Sequence, residues 1–309
     1  MKNIQLSTSG VSVSSVVLGL MRINTLDDSG IKALYSAARE IGVNIFDHAD
    51  IYGGAPHRCE ARFGDALRLT ADERDKIVIQ SKCGIRPGYF DFSKEHILAS
   101  VDRSLKALRS DYLDVLLLHR PDALVEPEEV AEAFDKLHAA GKVRHFGVSN
   151  HTPGQIDLLK TAVTQPIIAN QIQLSVAHAP SIAFGVAANM GGSEQSIDRD
   201  GELVNYSRIN SITLQAWSPF QHGFFEGIFL GDRENYLELN KVLDQLAETY
   251  GATPAAIAVA WIARHPAKIQ TVLGTTNPQR LRDSAIGADI ELSREEWYRM
   301  FKAAGYQLP

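Results

Sequence analysis

Four residues of this 309-residue chain carry groups that could do chemistry together: Asp47, Tyr52, Lys82 and His119. Each stands at or just past the polar end of a short apolar run. Taken singly, each has a plainer reading: a helix cap, a half-buried tyrosine, a surface lysine, a histidine bonded to backbone. Together they form a recognisable chemical set. Hydride transfer to a carbonyl puts alkoxide charge on the oxygen, and a positioned acid should quench it. A tyrosine hydroxyl, with an ordinary pKa near ~10, serves poorly unless its phenolate is stabilised. A nearby lysine ammonium stabilises it, a carboxylate fixes the lysine, and a histidine bonds the substrate oxygen.

Further polar and aromatic residues fall at comparable positions: Asp50, Ser149 with Asn150, Gln171 with Gln173, and Trp217. What must position them is a recurring unit, an apolar run rich in β-branched residues followed by an amphipathic segment. The strands expected are Val16–Leu18, Asn44–Phe46, Ile77–Gln80, Leu113–Leu118, His145–Val148, Ile167–Gln171, Ile212–Ala216 and Thr271–Leu273. Near-continuous apolar strands signal burial on both faces, as in parallel sheets covered by helices. Eight such units predict closure into an α/β (β/α)8 TIM barrel, in which active groups gather at the carboxyl ends of the strands. A doubly wound sheet is the competing architecture, but the G-x-G-x-x-G of its first turn is missing.

The intervening helices announce their ends. Asp27 or Asp28 caps a segment running to Glu40, Ser93 opens Lys94–Leu108, and Glu128–Ala140 stops at Gly141. Gly154–Ala162 and Tyr236–Tyr250 follow, the latter stopped by Gly251, and Thr253-Pro254 starts another. A hairpin over Ile4–Leu6 and Val11–Val13 precedes the first strand, and REEWYRMFKAAGYQLP ends the chain with a helix. No linker rich in Pro, Gly or Ser divides it, so residues 1–309 are expected to be one domain. Residues 185–201, with four glycines, read as a long loop after the sixth strand and a candidate lid.

Composition excludes several classes. Hydrophobic residues make up 45% and charged ones 22%, ordinary proportions for a globular protein. A net charge of −6 and a pI near 5.9 argue against nucleic acid and anionic membranes as partners. The N-terminus lacks the apolar core of a signal peptide, and no run is long enough to span a bilayer, so a cytoplasmic location is expected. Two cysteines, Cys59 and Cys83, offer neither a disulfide framework nor a metal site.

The motifs D-x-A-x-x-Y-G (Asp47 to Gly53), Lys82, LLLH ending at His119, GKVRHFGVSN (Gly141 to Asn150), Asn170-Gln171 and AWSPF (Ala216 to Phe220) resemble the aldo-keto reductase superfamily in order and spacing. The C-terminal segment is similar to that of YdhF-like bacterial oxidoreductases. The resemblance implies NADPH-dependent reduction of an aldehyde or ketone. It makes Tyr52 the proton donor, Lys82 the group that lowers its pKa, Asp47 the partner of Lys82, and His119 the group orienting the carbonyl. It places Ser149, Asn150 and Gln171 against the nicotinamide carboxamide, Trp217 under that ring, and Ser218 with Pro219 near the pyrophosphate. Gly19 and Met21 join the cofactor contacts from the first strand end.

In LGTTNPQRLRDS (Leu273 to Ser284), the same resemblance sets Thr275 and Arg280 against a 2′-phosphate, and Asp283 and Ser284 against adenine. Three departures concern affinity and specificity. Gly274 replaces a frequent lysine, Gln173 a frequent glutamate, and Gly19-Leu20-Met21 lacks a frequent threonine. Substrate choice falls to Met21, Tyr89, Phe90, Phe224-Phe225 and the 185–201 segment. Two other functions compete: a lyase forming a Schiff base on Lys82, and a cofactor-binding regulatory barrel with little turnover.

Overall fold

Eight parallel strands, all eight of them expected from the sequence, close on themselves: β1 (Val16–Gly19), β2 (Ile45–Asp47), β3 (Val78–Cys83), β4 (Leu113–Leu118), β5 (Val143–Ser149), β6 (Ile167–Gln173), β7 (Thr213–Trp217) and β8 (Gln270–Leu273). The computed structural model describes residues 1–308. Closure is made between β8 and β1, with Thr271 opposite Val16 and Leu273 opposite Leu18. Most strand residues are fully buried because the barrel interior takes one side chain and the helical ring takes the next. Gly147 marks a tight spot on β5, where a Cβ would come within 2.8 Å of the Ala169 carbonyl on β6.

The capping residues act as expected. Asp27 accepts from the Gly30 amide at 2.8 Å to start helix Asp28–Glu40, and Ser93 accepts from His96 ahead of Lys94–Leu108. Gly251, in the left-handed region, stops Leu237–Tyr250. Helix Pro254–Ala263 is buried over nearly its whole circumference, and Trp261 stacks on Trp297 of helix Arg294–Ala303 with ring centroids 4.7 Å apart. Each indole N–H donates to the other residue's carbonyl, at 3.2 and 2.9 Å.

The N-terminal hairpin pairs Asn3–Gln5 with Ser12–Ser14 and shuts the amino end of the barrel. Its Leu6 and Val13 join Val17, Ile45, Val78, Val115 and Val272 in the inner core. Met1 also reaches the turn ahead of the last helix, its ammonium lying 2.9 Å from Asp289.

The segment expected as a bare loop over 185–201 differs in part. Gly185 and Val186 are the last residues of helix Pro180–Val186, and Glu194–Ser196 form a 3-10 turn. Gln195 exchanges hydrogen bonds with the Gln307 backbone at 3.1 and 2.8 Å, so the segment rests on the C-terminal tail. Helices Arg58–Leu67, Leu203–Ile209 and Pro278–Ala285 add to those expected, as does a small hairpin of Ile85–Arg86 with Tyr89–Phe90.

Candidate active site

The four chemical residues converge at the carboxyl ends of neighbouring strands. Asp47 ends β2, Lys82 lies near the end of β3, His119 follows β4, and Tyr52 stands in the loop after β2. Lys82 is 1% exposed, and its ammonium is fully subscribed. It donates to both Asp47 carboxylate oxygens at 2.7 and 2.6 Å, to the His48 carbonyl at 2.8 Å, and to the Tyr52 hydroxyl oxygen at 3.1 Å. An ammonium has donors and no acceptor. The Tyr52 oxygen therefore accepts from Lys82, and its own proton is left to point at something else.

Charge states follow from burial and neighbours. Burial works against the Lys82 charge, but Asp47 and Tyr52 outweigh it and hold the ammonium above its ordinary value. Burial is the larger influence on Tyr52, so its hydroxyl ends above the usual tyrosine range although Lys82 pulls it down. Lys82 is thus a lowering influence that burial outweighs. His119 is driven well below its ordinary value by burial, then by the charges of Lys82 and Arg120, and is neutral at physiological pH. Its Nδ1 is buried without a partner, and its ring meets the Tyr52 ring edge-on at 5.8 Å.

Beneath Asp47 runs a column of buried glutamines, of which Gln171 alone was singled out in the sequence, as a cofactor contact. Gln80 on β3 and Gln171 on β6 both donate to Asp47 Oδ1, at 2.6 and 3.0 Å, and both reach Gln215 on β7. Gln215 donates to Gln270 on β8 at 2.9 Å, and Gln270 donates to the Ser14 carbonyl of the hairpin at 2.7 Å. The chain of amides links the tetrad to the closed end of the barrel. Satisfied buried networks of this kind fix side-chain positions.

A second polar group flanks β3. Glu60, fully buried, accepts from Ser81 and Ser104 and lies 2.6 Å from His57 Nδ1. Asp50 accepts from Ser100 at 2.9 Å, its other oxygen has no partner, and burial raises it to about 6. His48, with neither ring nitrogen partnered, is lowered to about 4 by burial.

The residues expected around a dinucleotide form two groups. At the reaction end, Ser149, Asn150, Gln171 and Trp217 are brought together. The Asn150 amide donates to Ser149 Oγ at 2.8 Å and to the His119 carbonyl at 3.3 Å, while Trp217 Nε1 donates to Asn150 Oδ1 at 3.0 Å. Ser149 Oγ donates to the Gln171 carbonyl at 2.8 Å. Asn150 and Ser218 adopt left-handed backbone, φ 62° and 51°, which turns the chain sharply at the ends of β5 and β7. Pro219 is buried behind Ser218, and Gln173 has its Nε2 buried without a partner.

At the far end, Gly274, Thr275, Arg280 and Asp283 lie on an accessible rim. A Cβ at Gly274 would meet nothing within 4 Å, so the surface there is open. Arg280 is exposed and forms no ion pair among the described residues, while Arg282 two positions on holds Glu40. Ser284 sits on the buried face of its helix with Leu281 and Ala285. Gly19 pairs with Asp47 across β1 and β2, and Met21 is 42% exposed at the mouth. An open rim with a free guanidinium, and a polar cluster beside a partly exposed indole, are chemically suited to the two ends of a nicotinamide dinucleotide.

Arg22 and Arg120 were not singled out in the sequence. Arg22 Nη2 donates to the Gly274 carbonyl at 2.5 Å and ties the loop after β1 to the loop after β8. Arg120 adjoins His119 and faces the Trp217 ring. A groove of about 1440 Å3 at the opposite end, lined by exposed side chains such as Lys2 and Glu291, contains none of the tetrad.

A closed parallel barrel with titratable groups converging at the carboxyl ends of its strands is the architecture of a TIM-barrel enzyme. Comparison with known proteins narrows the class. The chain belongs to the aldo/keto reductase family, whose family model matches residues 15–304. It is 34% identical to the oxidoreductase YdhF of Escherichia coli, over 100% of this chain and 99% of that one. It is also 34% identical to a 6-dehydroglucose reductase of Agrobacterium fabrum, over 98% of each. In fold it is similar to the solved structure of a thermostable aldo-keto reductase, Tm1743, bound to the inhibitor epalrestat. There the TM-score is 0.77 and the identity 24%, with 98% and 100% of the two chains covered. Family and relatives make this protein an oxidoreductase of small carbonyl compounds. No helix among the described residues is long and apolar enough to cross a membrane.

Proposed function

We propose that this protein is an NADP-dependent aldo-keto reductase that reduces an aldehyde or ketone to the alcohol, with Tyr52 as proton donor. The observation that carries this is the single direction of the Lys82–Tyr52 hydrogen bond. Because the Tyr52 oxygen accepts from an ammonium, its O–H is free to bond a carbonyl oxygen and then to surrender its proton there. Bound NADPH supplies the hydride to the carbonyl carbon.

The neighbouring groups then take defined parts. Lys82, held charged by Asp47, stabilises the phenolate left behind. Neutral His119 orients the carbonyl by hydrogen bonding without drawing off charge. Asp47 is itself fixed by Gln80 and Gln171. With NADPH bound, Asn150 and Ser149 would hold the nicotinamide carboxamide by exchanging bonds they now make within the protein, and Trp217 would offer its face to the ring. Arg280 and Thr275 would receive the 2′-phosphate, and Asp283 would serve the adenine. The reaction needs no metal ligands from the chain, and a cytoplasmic setting fits a free NADPH pool.

Lys82 argues against a Schiff-base lyase. A nucleophilic amine must be neutral, and here burial is overcome by Asp47 to keep the ammonium charged. The intact tetrad likewise favours turnover over a purely regulatory barrel.

Tyr52→Phe tests the proposal. The variant should lose about 10²–10⁴-fold in kcat for aldehyde reduction while its Kd for NADPH stays within a factor of two. Retention of more than half the wild-type rate would remove Tyr52 from the role.

A further inference from the structure

Arg120 is the residue immediately after His119, at the carboxyl end of β4. Its guanidinium lies 5.8 Å from the Trp217 ring centroid and 5.2 Å from that of Phe224. It is half-buried and forms no ion pair among the described residues. Arg74, Arg86, Arg109 and Arg144, by contrast, each hold an aspartate. Two ring faces attract the charge but offer no lone pair, so the five N–H donors of the fork are not met by the aromatics. Burial pulls the guanidinium below its ordinary value, with Tyr52 acting the other way, and the same charge helps to keep His119 neutral.

A half-buried cation with no anion of its own, beside the acid and the carbonyl-orienting histidine, is a recognition element awaiting a partner. The tetrad does not use it: Lys82 is taken up by Asp47, His48 and Tyr52. The exposed Phe224 ring, 58% accessible, covers one side and thins the water around the charge. A planar fork between aromatics suits two oxygens of one anionic group.

We propose that Arg120 is the specificity residue of this site, and that the preferred substrates are carbonyl compounds bearing an anionic oxygen group, carboxylate or phosphate, near the carbonyl. This rests on the carbonyl-reducing activity proposed above and assigns its substrate class. The anion docks on the Arg120 fork while the carbonyl oxygen lies between Tyr52 and His119.

The test compares two aldehydes of one shape, 4-carboxybenzaldehyde and its neutral methyl ester, in steady-state NADPH oxidation. The wild type should favour the carboxylate in kcat/KM by about 10- to 150-fold, the range of one charge-assisted bond. Arg120→Met should bring the carboxylate-to-ester ratio of kcat/KM to about one while leaving the Kd for NADPH unchanged. Arg120→Lys, which retains charge without the fork, should keep part of the preference and guards against a misfolded Met variant. Equal loss for both aldehydes, equal wild-type rates, or a tenfold weaker Kd for NADPH would each overturn the assignment. Calorimetric titration of the NADP+ complex with benzoate and with phenyl phosphate needs no turnover and separates the two anion sources. Binding of neither refutes the anion site, whereas anion binding without reduction of any aldehyde refutes the activity and leaves the site standing.

Discussion

Lys82 and Arg280 are both cations of one proposed binding groove, and their surroundings could hardly differ more. Lys82 is 1% exposed, and its N–H groups are given to Asp47, His48 and Tyr52. Arg280 is exposed, on an open rim, with no ion-pair partner among the described residues. Burial turns the first into a control on proton position, because in low dielectric each neighbour moves a pKa strongly. Exposure limits the second to recognition, where water and salt screen its charge until a ligand arrives. Under the proposed function, chemistry is fixed at one end, and cofactor choice is made at the other.

The sharpest way to break this contrast is to remove each cation. Lys82→Met leaves Asp47 buried without its counter-ion, so unfolding in urea should show a loss of about 3–5 kcal/mol. The corresponding Arg280→Ala change should move stability by less than about 0.5 kcal/mol. Comparable losses for the two variants would erase the distinction.

Asp50 extends the contrast to a buried carboxyl without a cation. Its folded-state pKa of about 6 lies above the ordinary 3.8, so the folded protein binds this proton more tightly. Stability from this group is therefore greatest near pH 4, falls as pH rises toward 6, and stays lower above. Asp50→Asn should gain up to about 3 kcal/mol over wild type at pH 7.5 and nothing near pH 4. Denaturation at both pH values decides it, and an equal change at both would show that burial of charge is not the cause.

The smallest effect belongs to the rim. Arg280→Ala should raise KM for NADPH by roughly 10- to 150-fold, the range of about 1.5–3 kcal/mol, with little change for NADH. The penalty should shrink as salt is added. Equal effects on both cofactors would mean that Arg280 holds something other than a 2′-phosphate.

Much of this was legible in the sequence for identifiable reasons. The eight strands are β-branched runs too continuous to face water, and Asp47 and Lys82 could be paired because both end neighbouring strands. Asp27, Ser93 and Gly251 declared their helix ends through side-chain chemistry or backbone freedom. Helix Arg58–Leu67 did not, because His57 enters it from left-handed backbone with no capping side chain. The glutamine column was hidden for a different reason. Gln80 and Gln215 are 135 residues apart, and their contact depends on the stagger of strands around the barrel, which no local pattern encodes. Arg120 was overlooked because a charge beside a loop usually faces solvent. Only the placement of Trp217 and Phe224 shows otherwise.

The seal at the barrel floor sets a schedule on the ribosome. Ser14 accepts its hydrogen bond from Gln270, 256 positions later. Elongation at about 5–20 residues per second separates their emergence by roughly 13 to 50 s. Throughout that interval β1 has no β8 to pair with, and the hairpin has only part of a floor to cover. The polar column that steadies Asp47 is also incomplete until its last glutamine arrives. The tetrad residues, all made by residue 119, are thus among the earlier parts synthesised and among the last to gain their full support.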